Sequence, residues 1–73
     1  MKREKIHGFL VNFDEALKNT GIYYLQHDLE LEEARTFFDA ARMRGSSYFE
    51  DDHERNFTLT YNRSDGTYDL EGR

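Results

Sequence analysis

Residues Phe49 to Phe57 read FEDDHERNF, with four carboxylates and a histidine packed between two phenylalanines. Such a run suits a hard-cation loop, a pair of acid–base carboxylates, or a surface that docks a basic partner. The calcium reading fails on spacing. An EF-hand loop needs Gly at its sixth position and Glu at its twelfth. Counted from Asp51 or Asp52, the sixth residue is Asn56 or Phe57. Around Gly66 the first and third positions would be Tyr61 and Arg63, which are not ligands of that type. His53-Glu54 begins like a zincin motif, but Phe57 stands where the second His belongs.

Other chemistry finds little support. His7, His27 and His53 occupy separate segments, and Cys is absent, which excludes disulfides and Cys-based zinc sites. Ser46 and Ser47 follow Gly45 without a Gly-x-Ser-x-Gly elbow, and there is no dinucleotide or Walker pattern. Paired carboxylates such as Asp51 and Asp52 need a pocket that splits their pKa values before they do acid–base work. A 73-residue chain has little volume for one. The sequence therefore predicts no enzyme, no cofactor and no metal.

Docking remains. The formal charge is −5, distributed as +1 over residues 1 to 20, −2 over 21 to 45 and −4 over 46 to 73. Asp28, Glu30, Glu32 and Glu33 form one acidic knot, and Glu50, Asp51, Asp52 and Glu54 a second. Such a surface disfavours phosphates and attracts basic groups. Glu30, Glu32, Glu33, Glu50, Asp51, Asp52 and Glu54 are the predicted partner-binding residues. The expected partner is a basic protein that itself binds nucleic acid, such as a nucleoid protein, a nuclease or a polymerase subunit. The chain would act on it as a DNA-mimic inhibitor or regulator. In size and charge alone it resembles the DNA mimics of phages and mobile elements. One alternative is binding through an exposed aromatic patch of Tyr23, Tyr24, Tyr48 or Tyr68. Another is a weak winged-helix-like nucleic-acid contact through Arg35, Arg42 and Arg44, but the helix carrying them is itself net acidic.

Short chains bury only about 60% of their unfolded surface, so a symmetric homodimer is expected to supply the missing burial. No apolar run approaches a signal peptide or a membrane span, which places the chain in the cytosol.

The elements that must hold these residues are read from periodicity. Ile6, Phe9, Leu10, Phe13 and Leu17 recur at helical spacing, predicting a helix over residues 3 to 19 that ends at Asn19-Thr20-Gly21. A competing reading has a strand at 6 to 11 and a short helix from the capping pattern Asn12-x-x-Glu15. Ile22 to Leu25 reads as a short extended piece. Asp28 and the acids after it open a second helix with Leu31, Ala34, Phe38 and Ala41 on its inner face. Arg42 and Arg44 fall in its last turn, and Gly45 stops it. Ser47 to Phe49, Phe57 to Tyr61 and Thr67 to Leu70 then alternate as strands. Asp65-Gly66 would close a hairpin that sets Ser64 against Thr67 and Tyr61 against Leu70. In that register Phe57, Leu59, Tyr61 and Leu70 face inward, and Tyr68 lies with Arg63 on the other face. The expected fold is a single α+β domain over 1–73. It has two layers, with two helices packed on a small three-stranded antiparallel meander, in the order α-(short β)-α-β-β-β.

Overall fold

A computed structural model describes all 73 residues. Its sheet is five-stranded and mixed, which corrects the expected three-stranded antiparallel meander. The strands are β1 (Lys2–Ile6), β2 (Phe9–Phe13), β3 (Ser46–Glu50), β4 (Asn56–Asn62) and β5 (Thr67–Gly72), arranged β1-β2-β5-β4-β3. Every neighbouring pair is antiparallel except β2 and β5, which run parallel through Val11–Tyr68, Asn12–Asp69 and Phe13–Leu70.

The N-terminal helix expected over residues 3 to 19 is a hairpin. His7 and Gly8 both have positive φ, 51° and 90°. That is the requirement of a two-residue turn whose twist matches the strands it joins. The His7 Nε2–H donates to the Leu25 carbonyl at 2.9 Å and pins the turn to the rest of the chain. Across this turn Ile6 pairs with Phe9, Glu4 with Val11 and Lys2 with Phe13. Ile6, Val11 and Phe13 are fully buried, whereas Leu10 points to the opposite face and is 38% exposed.

After β2 the Asp14 side chain accepts the Ala16 N–H at 3.0 Å and turns the chain into a helical segment. The segment begins as a tight turn at Glu15–Leu17 and widens over Lys18–Ile22 and Tyr24–Asp28, where Leu29 N–H reaches the Tyr24 carbonyl five residues back. Residues 22 to 25, expected to be extended, lie inside it, and Gly21 does not end a helix. Gly21 is instead a point of close approach to the sheet. A Cβ there would lie 2.9 Å from Leu70 Cδ2 and 2.9 Å from ring carbons of Phe57.

The helix α1 (Leu31–Arg44) sits where its capping, periodicity and terminal charges put it. Glu30 and Glu33 form a capping box in which the Glu33 carboxylate accepts the Glu30 N–H at 3.1 Å. Ala34, Phe38 and Ala41 are fully buried, but Leu31 is half exposed. The β4–β5 loop takes four residues rather than two, because Asn62 pairs with Thr67. Tyr61 therefore faces Tyr68, and Leu59 faces Leu70. Tyr68 and Leu70 are two apart on one strand, so they share a face. Tyr68 is accordingly a core residue, 3% exposed, and not an outward one.

Helical segment and helix cover one face of the sheet, and aromatic rings fill the space between. Phe9 stacks on Phe38 with ring centroids 4.3 Å apart, and Phe49 packs against Tyr24, Phe37 and Phe57. The other face carries no helix. Its side chains form a polar ladder, in which Asn12 donates to Thr67 at 3.2 Å and Asp69 at 3.0 Å and accepts from Arg3 at 2.6 Å. No helix is long and apolar enough to cross a membrane.

Candidate functional site

The FEDDHERNF stretch makes the β3–β4 turn, and its carboxylates have separate fates. Glu50 pairs with Asn56, and Asp51 N–H donates to the Arg55 carbonyl at 3.0 Å, leaving Asp52, His53 and Glu54 as the tip. Asp51 is turned inward, its side chain only 2% exposed. Oδ1 accepts the His53 and Arg55 N–H groups, each at 2.9 Å, and Oδ2 accepts Arg55 Nε at 2.7 Å. Burial alone would push this carboxyl up. The hydrogen bonds from Arg55 and His53, with the Arg55 charge, outweigh it and hold the pKa below the usual aspartate value. Asp51, expected to face a partner, is instead the turn's internal brace.

Glu54 adopts φ +62°. It is the third tip residue, the position where a three-residue hairpin loop wants a left-handed conformation and Gly or Asn serves best. A side chain there costs about 1 kcal/mol. Glu54→Gly should therefore raise the thermal midpoint by roughly 4–8 °C for a domain of this size. A differential scanning calorimetry trace with an unchanged or lower midpoint would count against that strain.

Beside the turn lies a cleft of about 250 Å³, lined by Asn19, Thr20, Tyr23, Tyr24 and Asp28 from the helical segment and by Asp51, Asp52, His53 and Arg55 from the turn. Tyr24 is half-buried at its wall. Its phenol titrates above the ordinary value, first because of burial and then because Asp52, Glu33, Asp28 and Asp51 surround it with negative charge. Members of both acidic knots therefore converge on one side chain. Asp28 was expected only as part of the first acidic knot and Tyr24 only as part of an aromatic patch, not together with the turn. Only the helical fold of residues 15 to 28 brings them to the turn, so no local pattern announced that meeting.

The remaining predicted residues are dispersed. Glu30 and Glu33 are engaged in the capping box, and Glu32 is exposed on the first turn of α1. Glu50 is exposed next to Tyr48, in register with Asn56 and pointing to the helix-free face of the sheet. No three His, Asp or Glu side chains are grouped to hold a metal ion. The four tyrosines do not make one patch: Tyr68 is in the core, Tyr23 flanks the cleft, and Tyr48 is on the open face of the sheet.

The opposite end of the molecule is basic. Arg42 and Arg44, closing α1, meet Arg63 of the β4–β5 loop around a depression that Gly45 and Tyr61 also line. The chain's ion pairs join Lys2–Glu15, Arg3–Asp65, Lys18–Glu4, Arg35–Asp39 and Arg55–Asp51, so these three arginines lack a carboxylate partner. Comparison with protein-family models, curated proteins and solved structures finds no counterpart for this chain. The geometry alone speaks for function, and it describes a polar molecule. Acidic groups gather where α1 begins and β3 ends, and basic groups where α1 ends and β3 begins, about 21 Å away along the helix.

Proposed function

We propose that this chain is a non-enzymatic interaction module whose acidic cleft receives a basic segment of a protein partner, in competition with nucleic acid. What supports this reading most is the meeting of Asp28 from the first acidic knot with Asp51 and Asp52 from the second around Tyr24 in one cleft. A Lys or Arg side chain entering beside Asp28 and Asp52 would relieve that repulsion and stack on Tyr23 or Tyr24, giving charge pairing with an aromatic platform. The net charge of −5 extends the attraction beyond the cleft. The partner class is the one expected from the sequence, a protein whose basic surface otherwise holds phosphates, and the effect would be inhibition or regulation of its binding.

A labelled lysine- and arginine-rich peptide bound to duplex DNA tests the idea. The protein should displace the DNA, followed by fluorescence anisotropy. Asp51 must be left in place because it braces the turn, so the informative variant combines Asp28→Asn, Asp52→Asn and Glu54→Gln. Three partly exposed charges at about 0.5 kcal/mol each amount to roughly a tenfold loss of affinity. The loss should shrink as salt rises. Tyr24's ultraviolet titration should move down in the same variant, showing that Asp28 and Asp52 are among the charges around it. A variant that binds the peptide at low salt as tightly as the parent would sink the proposal.

A further inference from the structure

The two edges of the sheet are guarded differently. The β1 edge carries Lys2, Arg3 and Lys5, charges of the kind that discourage another strand from pairing. The β3 edge reads Ser46-Ser47-Tyr48-Phe49-Glu50, with no Lys, Arg, Pro or bulge. Tyr61 N–H donates to the Gly45 carbonyl at 3.0 Å, and Asp51 N–H to the Arg55 carbonyl at 3.0 Å. By the antiparallel alternation, residues 45, 47, 49 and 51 then point their backbone groups at β4. The N–H and C=O groups of Ser46, Tyr48 and Glu50 point outward, and no side chain or loop of the chain satisfies them. Alongside this edge runs a groove of about 570 Å³, lined by Thr36, Phe37, Ala40 and Arg44 of α1 together with Ser46 to Tyr48. The Ser47 hydroxyl donates to the Phe37 carbonyl at 2.8 Å and fixes helix and edge together.

We propose that the β3 edge pairs antiparallel with β3 of a second copy of this chain, about a two-fold axis at Tyr48. The occupant is chosen by self-complementarity. A two-fold axis at Tyr48 sets the Ser46 hydroxyl against the partner's Glu50 carboxylate on both sides of the axis. It lays Tyr48 on the partner's Tyr48 and makes about six backbone hydrogen bonds. It also brings the α1 helices side by side in opposite directions. Glu33, Phe37, Ala40 and Arg44 form one helical stripe, so Arg44 lies toward the partner's Glu33, and small Ala40 near the middle admits close approach. On the scale of the whole molecule, the acidic end of each copy comes beside the basic end of the other. Arg44, which has no ion pair, and the outward backbone groups of β3 acquire partners at once, and the two Tyr48 rings meet beside the Arg73 guanidinium that lies 4.6 Å from each ring centroid. The Tyr48 surface is outside the acidic cleft, and Tyr48 and Ser46 can be changed with every cleft residue in place, so failure of this pairing and failure of the cleft's binding are distinguishable.

Sedimentation equilibrium of the full chain, from micromolar to millimolar concentration, is the test. The parent should approach twice 8.7 kDa. Its Ser46, Tyr48 and Glu50 amides should be protected from hydrogen exchange. Tyr48→Lys sets like charges across the axis, and Tyr48→Pro removes the central N–H at an edge position that tolerates proline. Each should weaken the dimer at least tenfold, and Tyr48→Lys should free those amides while leaving the monomer's circular dichroism spectrum unchanged. Ser46→Lys, facing the partner's Glu50, should tighten the dimer severalfold. If Tyr48→Pro does not fold, Tyr48→Lys and Ser46→Lys decide the matter. A mass of 8.7 kDa at every concentration overturns the proposal, leaving the edge free for some other chain. A dimer indifferent to Tyr48→Lys and Ser46→Lys overturns it equally, because its interface then lies elsewhere.

Discussion

Asp51→Ala is expected to lower the thermal midpoint by roughly 10–20 °C, the equivalent of about 3 kcal/mol in a domain this small. The substitution removes the acceptor for the His53 and Arg55 N–H groups and strips Arg55 of its partner. Arg55 is 44% exposed, so water takes over part of the ionic loss. The two backbone donors at the mouth of the turn account for the greater share. Asp51→Asn should fall between parent and Ala, because its amide oxygen still accepts where Oδ1 did. The acid dependence has a definite sign. The folded carboxyl titrates below its unfolded value near 3.8. Its contribution is therefore complete above that value and is lost as pH falls through the folded pKa. Thermal melts from pH 6 down to 2 should show parent and Asp51→Asn converging at the acidic end. Parallel curves over the whole range would mean that the brace is not ionic.

Gly21→Val is expected to cost about 3 kcal/mol, at the upper end of core overpacking. Its Cβ would fall 2.9 Å from Leu70 and Phe57. Both are buried, at 2% exposure, and neither can swing aside. Gly21→Ala meets the same atoms with less volume and regains about 1 kcal/mol of helical propensity, so its penalty should be clearly smaller. Urea denaturation of the pair separates the effects. Equal midpoints for Ala and Val would show that the sheet makes room.

How far the sequence disclosed this architecture depends on the element. Helix α1 was legible because its capping box, its inner face of Ala34, Phe38 and Ala41, and its terminal Arg42 and Arg44 all agree. The first two strands were not, for a geometric reason. A two-residue turn sets residues three apart opposite each other, so Ile6 and Phe9 share a face in a hairpin just as they do on a helix. Phe13, four beyond Phe9, shares that face in both structures. Only Leu10, outward in the strand, and Gly8 with its positive φ tell the readings apart. The parallel β2–β5 contact carries no local signature at all, since Asn12 and Asp69 are 57 residues apart. At the site, the acidic character of residues 50 to 54 was visible. The division of labour within it was not, because an aspartate that braces a turn and one that waits for a partner are spelled alike.

The middle position of β5 governs how the molecule can assemble. β1–β2 and β3–β4 are each hairpins that close over short loops, but neither touches the other in the sheet except through β5. Residues 67 to 72 fold back onto β4 across a four-residue loop and so present the edge that β2 must find. Joining β2 to β5 encloses most of the chain, so the entropy of that closure must be met before its contacts return anything. Pairing of the β1–β2 hairpin with β5 is thus the natural late step of folding, slower than closure of any hairpin. Cut off from β5, the β1–β2 hairpin is two strands, short of the three that independent stability ordinarily requires. Detaching β5 would cut the sheet in two rather than fray one border, so native-state exchange of its amides should report the unfolding of the whole chain.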